Sequence, residues 1–120
     1  MKIRVYYEDT DVGGVVYHSN YLNFCERGRS DIFFQKGLSP HSNEAFFVVK
    51  KIECDYIAPA KLGDLLDVET EVIETKRASI ILKQSIKRDD ELLFRAKVLL
   101  VFLKKGRISK IPKEILNLFS

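Results

Sequence analysis

The sequence predicts an α+β fold in which one long helix lies against a five-stranded antiparallel sheet. Two observations carry that prediction. Helical periodicity occurs at length only once, from residue 19 or 20 to Lys36. Two-residue alternation precedes it once and follows it four times, and the later stretches are joined by turns too short for a parallel crossover.

The first strand is read from Ile3, Val5 and Tyr7, which alternate with Lys2, Arg4 and Tyr6 and place Tyr7 on the buried side. It ends in a Glu8–Gly14 loop. The helix follows, with Ser19 or Asn20 as the expected side-chain cap and Tyr21, Phe24, Cys25, Gly28 and Ile32 as its buried stripe. Gly28 in mid-helix costs about 1 kcal/mol against alanine. On a buried stripe, it implies a sheet that comes unusually close. Lys36-Gly37-Leu38 reads as a Schellman stop, reinforced by Pro40.

Phe46, Val48, Ile52, Cys54 and Tyr56 share a parity in the second strand, and Leu66, Val68, Thr70 and Val72 in the third. Ile80, Leu82, Gln84 and Ile86 mark the fourth. The fifth runs from Leu92 to Leu103 with Leu92, Phe94, Ala96, Val98, Leu100 and Phe102 on one face. Leu99, Val101 and Leu103 make its end apolar on both faces, which burial on one side does not explain. Lys104–Arg107 turns the chain, and Pro112 suits the first position of a short helix ending at Phe119. One helix leaves the other sheet face uncovered, so a homo-oligomer is expected, a dimer at minimum and a tetramer by preference.

The 120 residues are read as a single domain, 1–120, and the 46% apolar and 31% charged fractions are those of a globular protein. No apolar run reaches the roughly 18 residues of a membrane span, and the N-terminus has no signal-peptide core. Cys25 and Cys54 fall inside apolar patterns and show no zinc spacing, so two buried thiols in a reduced, cytoplasmic protein are expected. Charge is uneven. Residues 1–75 hold 8 Lys or Arg against 13 Asp or Glu, whereas residues 76–113 hold 12 against 3 and so a net +9. That basic half suggests an anionic partner, or else the solvated face of alternating strands.

Residues 6–21 concentrate the chemistry: three carboxylates, Gly13-Gly14, His18 and a helix start. Singly, Asp11 is more often a turn former than a catalyst, His18 more often structural, and Tyr7 belongs to the core. Together they bring a carboxylate, an imidazole and a phenol close to helix amides that carry partial positive charge, which suits a reaction in which a carbonyl oxygen gains charge. Asp9-Thr10-Asp11 has the form of a haloacid-dehalogenase phosphatase dyad, but the chain lacks the alternating helices of that fold. A calcium loop would need Glu where Asn20 stands. No RNP-like aromatic motif supports nucleic acid as partner.

The run Tyr7-Glu8-Asp9-Thr10-Asp11-Val12-Gly13-Gly14-Val15-Val16-Tyr17-His18-Ser19-Asn20-Tyr21 closely resembles the signature of hot-dog-fold acyl-CoA thioesterases. It is similar to the 4-hydroxybenzoyl-CoA thioesterase type and most of all to the YbgC group associated with Tol–Pal. The resemblance implies a hot-dog fold, with the helix wrapped by the sheet, and hydrolysis of acyl-CoA to a free acid and coenzyme A. It places the catalytic carboxylate on Asp11, the carbonyl-polarising amide on His18, and accessory roles on Tyr7 and the His18 side chain. Lys76, Arg77 and Ser79 fall where relatives hold the phosphates of coenzyme A. The substrate would be acyl-CoA, or an acyl group on acyl carrier protein. No metal and no cofactor beyond the substrate's own coenzyme A are expected. The alternative is a module that binds such acyl carriers without turnover.

Overall fold

The computed structural model describes residues 1–119. Its elements are β1 (Lys2–Arg4), α1 (Asn20–Phe34), β2 (Ala45–Tyr56), β3 (Leu65–Thr75), β4 (Ser79–Arg88), β5 (Glu91–Lys104), β6 (Arg107–Ile108) and α2 (Lys113–Leu118). The strands form one antiparallel sheet in the order β1-β3-β4-β5-β2, and the two-residue β6, expected only as part of a turn, adds to β5 at Leu103 and Lys104. The expected α+β hot-dog arrangement is present, with the five main strands curled about α1.

α1 buries Tyr21, Phe24, Cys25, Gly28 and Phe33. The close approach expected at Gly28 is real. A methyl group there would sit 2.8 Å from Val68 Cγ1 and 3.3 Å from Gln84 Nε2. The helix ends in the expected Schellman pair, Leu38 N to Phe33 O and Gly37 N to Phe34 O, both at 3.0 Å, with Gly37 at φ +71. β4 presents an alternating row to the core. Ile80, Leu82, Gln84 and Ile86 are all buried, as their alternation required.

Four expectations need correction. Tyr7 is not on a buried strand. Asp9 Oδ2 accepts from Tyr6 N at 2.9 Å and Asp9 N donates to Tyr6 O at 3.0 Å, which closes residues 7–9 into a 3₁₀ turn and leaves Tyr7 82% exposed. Alternation cannot see this, because a side chain bonding its own backbone competes with the strand.

β2 does not keep one parity. A bulge between Val49 and Lys51 inserts one residue, so Ala45 and Phe47 face the core before it and Ile52 after it. Phe46 and Val48 therefore fall on the other face, and Cys54, counted as buried, is exposed although it keeps the parity of Ile52. Cys25 is buried, and burial pushes its thiol up to about 11. Pro112 stands at the N-cap of α2, one position before the helix rather than inside it.

The side-chain cap of α1 is also absent. Ser19 is already helical at φ −74, ψ −18, and Asn20 turns its amide to Asp9. Backbone bonds from Asn20 N to Tyr17 O and from Leu22 N to Ser19 O close the first turn instead.

Candidate active site

The loop between β1 and α1 is a small hairpin clamped on both sides. Thr10 bridges to Val16, and Asp11 N donates to Val15 O at 2.9 Å. Val16 N donates to Ala60 O at 2.9 Å and Leu62 N donates to Gly14 O at 3.1 Å, which ties the loop to the 60–62 segment. Asp11 lies at the exposed tip. Its Oδ1 accepts from Gly13 N at 2.8 Å, and a methyl group on Gly13 would stand 3.2 Å from that oxygen. Gly14, at φ +78, takes the left-handed conformation that lets the tip turn. Among the described residues, Asp11 Oδ2 has no hydrogen-bond or ion-pair partner, so one oxygen of the carboxylate is held and the other faces solvent.

The base of the loop is built on Asp9, which is 5% exposed and was not singled out from the sequence as a site residue. Its Oδ1 accepts from Asn20 Nδ2 at 2.8 Å, and its backbone oxygen accepts from Tyr17 N at 3.0 Å. Asp9 thereby joins the turn, the hairpin and the helix start. Spacing alone gave no sign that Asp9 was the buried member of the Asp9–Asp11 pair, because both flank Thr10 in a loop.

The backbone N–H of His18 makes no hydrogen bond among the described residues. Its orientation is nevertheless determined. The peptide that carries it also carries the Tyr17 carbonyl, which accepts from Asn20 N at 2.9 Å. In a trans peptide the N–H points opposite the carbonyl, so it is directed out of the helix end, where the helix dipole places positive partial charge. The next peptide is held by Tyr56 Oη, which donates to His18 O at 2.7 Å. Burial pushes the Tyr56 phenol above its ordinary value, so it stays a donor. A cavity of about 260 Å³ opens here, walled by Val16, His18, Tyr21, Tyr56 and Ile57. The His18 imidazole is exposed and packs 4.3 Å from the Tyr17 ring.

Asp11 and His18 thus sit in one clamped segment, although no hydrogen bond or ion pair joins their side chains. Tyr7 lies apart from this cavity and lines a different one of about 490 Å³ with Arg4, Tyr6, Glu8 and Leu62. Lys76, Arg77 and Ser79 are at the opposite end of the sheet. Ser79 pairs with Val101, whereas Tyr56 beside His18 pairs with Phe94. Seven residues of β5 separate those levels, about 23 Å at strand rise. No group of acidic, His or Cys side chains in the described residues is arranged to hold a metal.

A curled antiparallel sheet wrapped on one helix, with a small clamped loop before it, is the architecture of the hot-dog class, and the comparisons agree. Residues 13–95 match the family model of the thioesterase superfamily, and the chain belongs to that family. Within it, the chain falls among the YbgC proteins. It is 45% identical over 120 residues to the acyl-CoA thioesterase YbgC of Haemophilus influenzae, covering 94% of this chain and 88% of that one. It is 46% identical over 86 residues to YbgC of Helicobacter pylori, where the match spans 65% of the relative's length. Among solved structures, a probable thioesterase from Bartonella henselae superposes with TM-score 0.88 at 33% identity, covering 93% of this chain and 97% of that one.

Proposed function

We propose that this chain is an acyl-CoA thioester hydrolase in which Asp11 and the His18 amide do the chemistry. The observation that carries the reading is the unpartnered, oriented His18 N–H beside the clamped Asp11 loop. The thioester carbonyl oxygen accepts from His18 N–H, which stabilises the negative charge that develops on it. Asp11 takes a proton from water as the water oxygen bonds to the carbonyl carbon, or else its own oxygen attacks and forms an anhydride that water then opens. Collapse breaks the C–S bond. Coenzyme A leaves as a thiolate of pKa ~8.5 and needs no dedicated acid. This scheme asks for no metal and no added cofactor. Tyr7 and the His18 imidazole take accessory roles, His18 from the wall of this cavity and Tyr7 from the neighbouring one.

The reading includes a homo-oligomer, at least a dimer. Lys76, Arg77 and Ser79 lie about 23 Å of strand away from the His18 end of the sheet, and the reading gives the phosphates to the set of a second copy. A second copy running antiparallel brings its own set beside the first copy's helix start. β2 offers an unpaired edge, and Leu99, Val101, Leu103, Ile81 and Val48 leave an apolar strip on the outer face of the sheet. Two free thiols suit a reducing, cytoplasmic setting. Acyl carrier protein is the alternative bearer of the acyl group.

The test is release of free thiol from a series of acyl-CoA substrates, short, long and aromatic. Turnover with any of them supports the proposal. Tight binding of all without thiol release supports the alternative, a non-catalytic acyl-carrier-binding module.

A further inference from the structure

Gln84 is the one fully buried polar side chain of the described core, and its amide is spent. Nε2 donates to Cys25 O and to Thr70 Oγ1, both at 2.9 Å. The Cys25 carbonyl can only accept, so the amide nitrogen is the atom that meets it and the oxygen faces the Arg29 side chain. There Oε1 accepts from Arg29 Nη1 at 2.9 Å. Arg29 is thereby a positioned cation on the inward side of the helix, largely covered, with one of its five N–H donors used. It forms no ion pair with any described residue. Covering a cation is costly when no described residue pairs with it, and burial pulls the Arg29 guanidinium below its ordinary value.

Arg29 walls a cavity of about 210 Å³ whose other surfaces include Phe33, Phe47, Val49, Leu100 and Phe119. Glu26 stands at the same cavity but is turned to Ser30, whose hydroxyl donates to it at 2.9 Å. Neither Asp11 nor His18 lines this space. Arg29 is eleven residues along the chain from His18, about 16 Å at helical rise.

We propose that this cavity is a second binding site, for a carboxylate that carries a short apolar body, with Arg29 as the counter-ion and the aromatic wall around the body. The ligand has two possible sources with the same chemistry. It is a free short-chain acid, such as a thioesterase releases, or it is the far carboxylate of a long dicarboxylic acyl group whose chain spans the ~16 Å from His18. The second source rests on the proposed thioesterase reading. Binding of a free acid does not, because it needs no turnover.

The experiment is calorimetric titration of the full chain with hexanoate, and with hexanol as the uncharged control. Hexanoate is expected to bind with a Kd of about 1 mM or tighter, and hexanol at least ~10-fold more weakly. Arg29→Met should weaken hexanoate by at least ~10-fold and leave hexanol unchanged. Glu26→Gln, which removes a like charge from the rim, should tighten hexanoate. Val49→Trp fills the cavity from the edge strand without touching the Arg29–Gln84 bond, and it should block both ligands even if Arg29→Met fails to fold. Steady-state kinetics separates the sources. A rise in KM of Arg29→Met for dicarboxylic acyl-CoA alone assigns the site to the acyl group, and unchanged KM values assign it to the free acid. No heat from hexanoate at ~10 mM, or equal binding by wild type, Arg29→Met and Val49→Trp, overturns the proposal.

Discussion

The phenol of Tyr56 donates to the backbone carbonyl of His18 at 2.7 Å, from the last residue of β2 to the residue that precedes the N-cap of α1. Its ring packs edge-on against Tyr21 at 5.5 Å and against Phe94 at 5.1 Å. Sheet, helix and core therefore meet at the peptide next to the proposed oxyanion donor. Tyr56→Phe keeps the ring and deletes this bond. We expect a loss of about 1 kcal/mol in stability and a fall of about 10-fold in kcat, measured by denaturant unfolding and thiol release. The raised phenol pKa sets the sign of the pH effect. The bond is fully present below the unfolded value of 10 and is lost only as pH rises through the higher folded value. No Tyr56-dependent loss of stability should be seen between pH 6 and 9.

Gly28 tests how closely α1 and β3 approach. Alanine has the better helix propensity by about 1 kcal/mol, but its methyl group would lie 2.8 Å from Val68 Cγ1. Val68 is β-branched and buried among the core side chains, so it cannot swing away freely. We expect Gly28→Ala to destabilise by about 1–3 kcal/mol net. We also expect Gly28→Ala with Val68→Ala to cost less than the sum of the two single changes, as read from denaturant midpoints.

Much of this was legible in the sequence. α1, its glycine contact, its Schellman stop and the buried row of β4 follow from spacing alone, because each is a local pattern facing one uniform surface. The errors share a cause. Tyr7 and the α1 cap were misplaced because Asp9, a loop carboxylate in sequence, is buried and takes up the Tyr6 N–H and the Asn20 amide. Phe46 and Val48 were misplaced because the bulge between Val49 and Lys51 shifts the inward parity within β2. Neither a side-chain bond to nearby backbone nor an inserted residue shows in simple alternation. At the site, Asp11 and His18 were visible as residues, but the feature that matters at His18 is a backbone N–H whose direction depends on Asn20 and Tyr56.

Lys76 and Arg77 test the assembled site. Both are exposed, and Lys76 Nζ is 3.8 Å from Glu74, a contact too loose and solvated to neutralise it. If they meet the phosphates of acyl-CoA across a subunit boundary, replacing both by alanine raises KM and leaves kcat nearly unchanged. Exposed contacts of this kind are screened beyond about 10 Å at 0.1 M salt. The wild-type KM should therefore rise with ionic strength, and the double variant should show a flatter dependence. Sedimentation should give at least a dimer for both proteins. A monomer with full activity would contradict the shared site.

The central claim is that Asp11 is the catalytic carboxylate and that His18 acts chiefly through its backbone. The most direct measurement is kcat for acyl-CoA hydrolysis by Asp11→Ala, beside His18→Ala and with folding checked by thermal unfolding. Asp11 is exposed at a loop tip, so the fold should survive its loss. The account predicts a drop of at least ~100-fold for Asp11→Ala and a smaller one for His18→Ala, which leaves the N–H in place. A folded Asp11→Ala protein that keeps more than about a tenth of wild-type kcat, or a reversed ranking of the two variants, would contradict it.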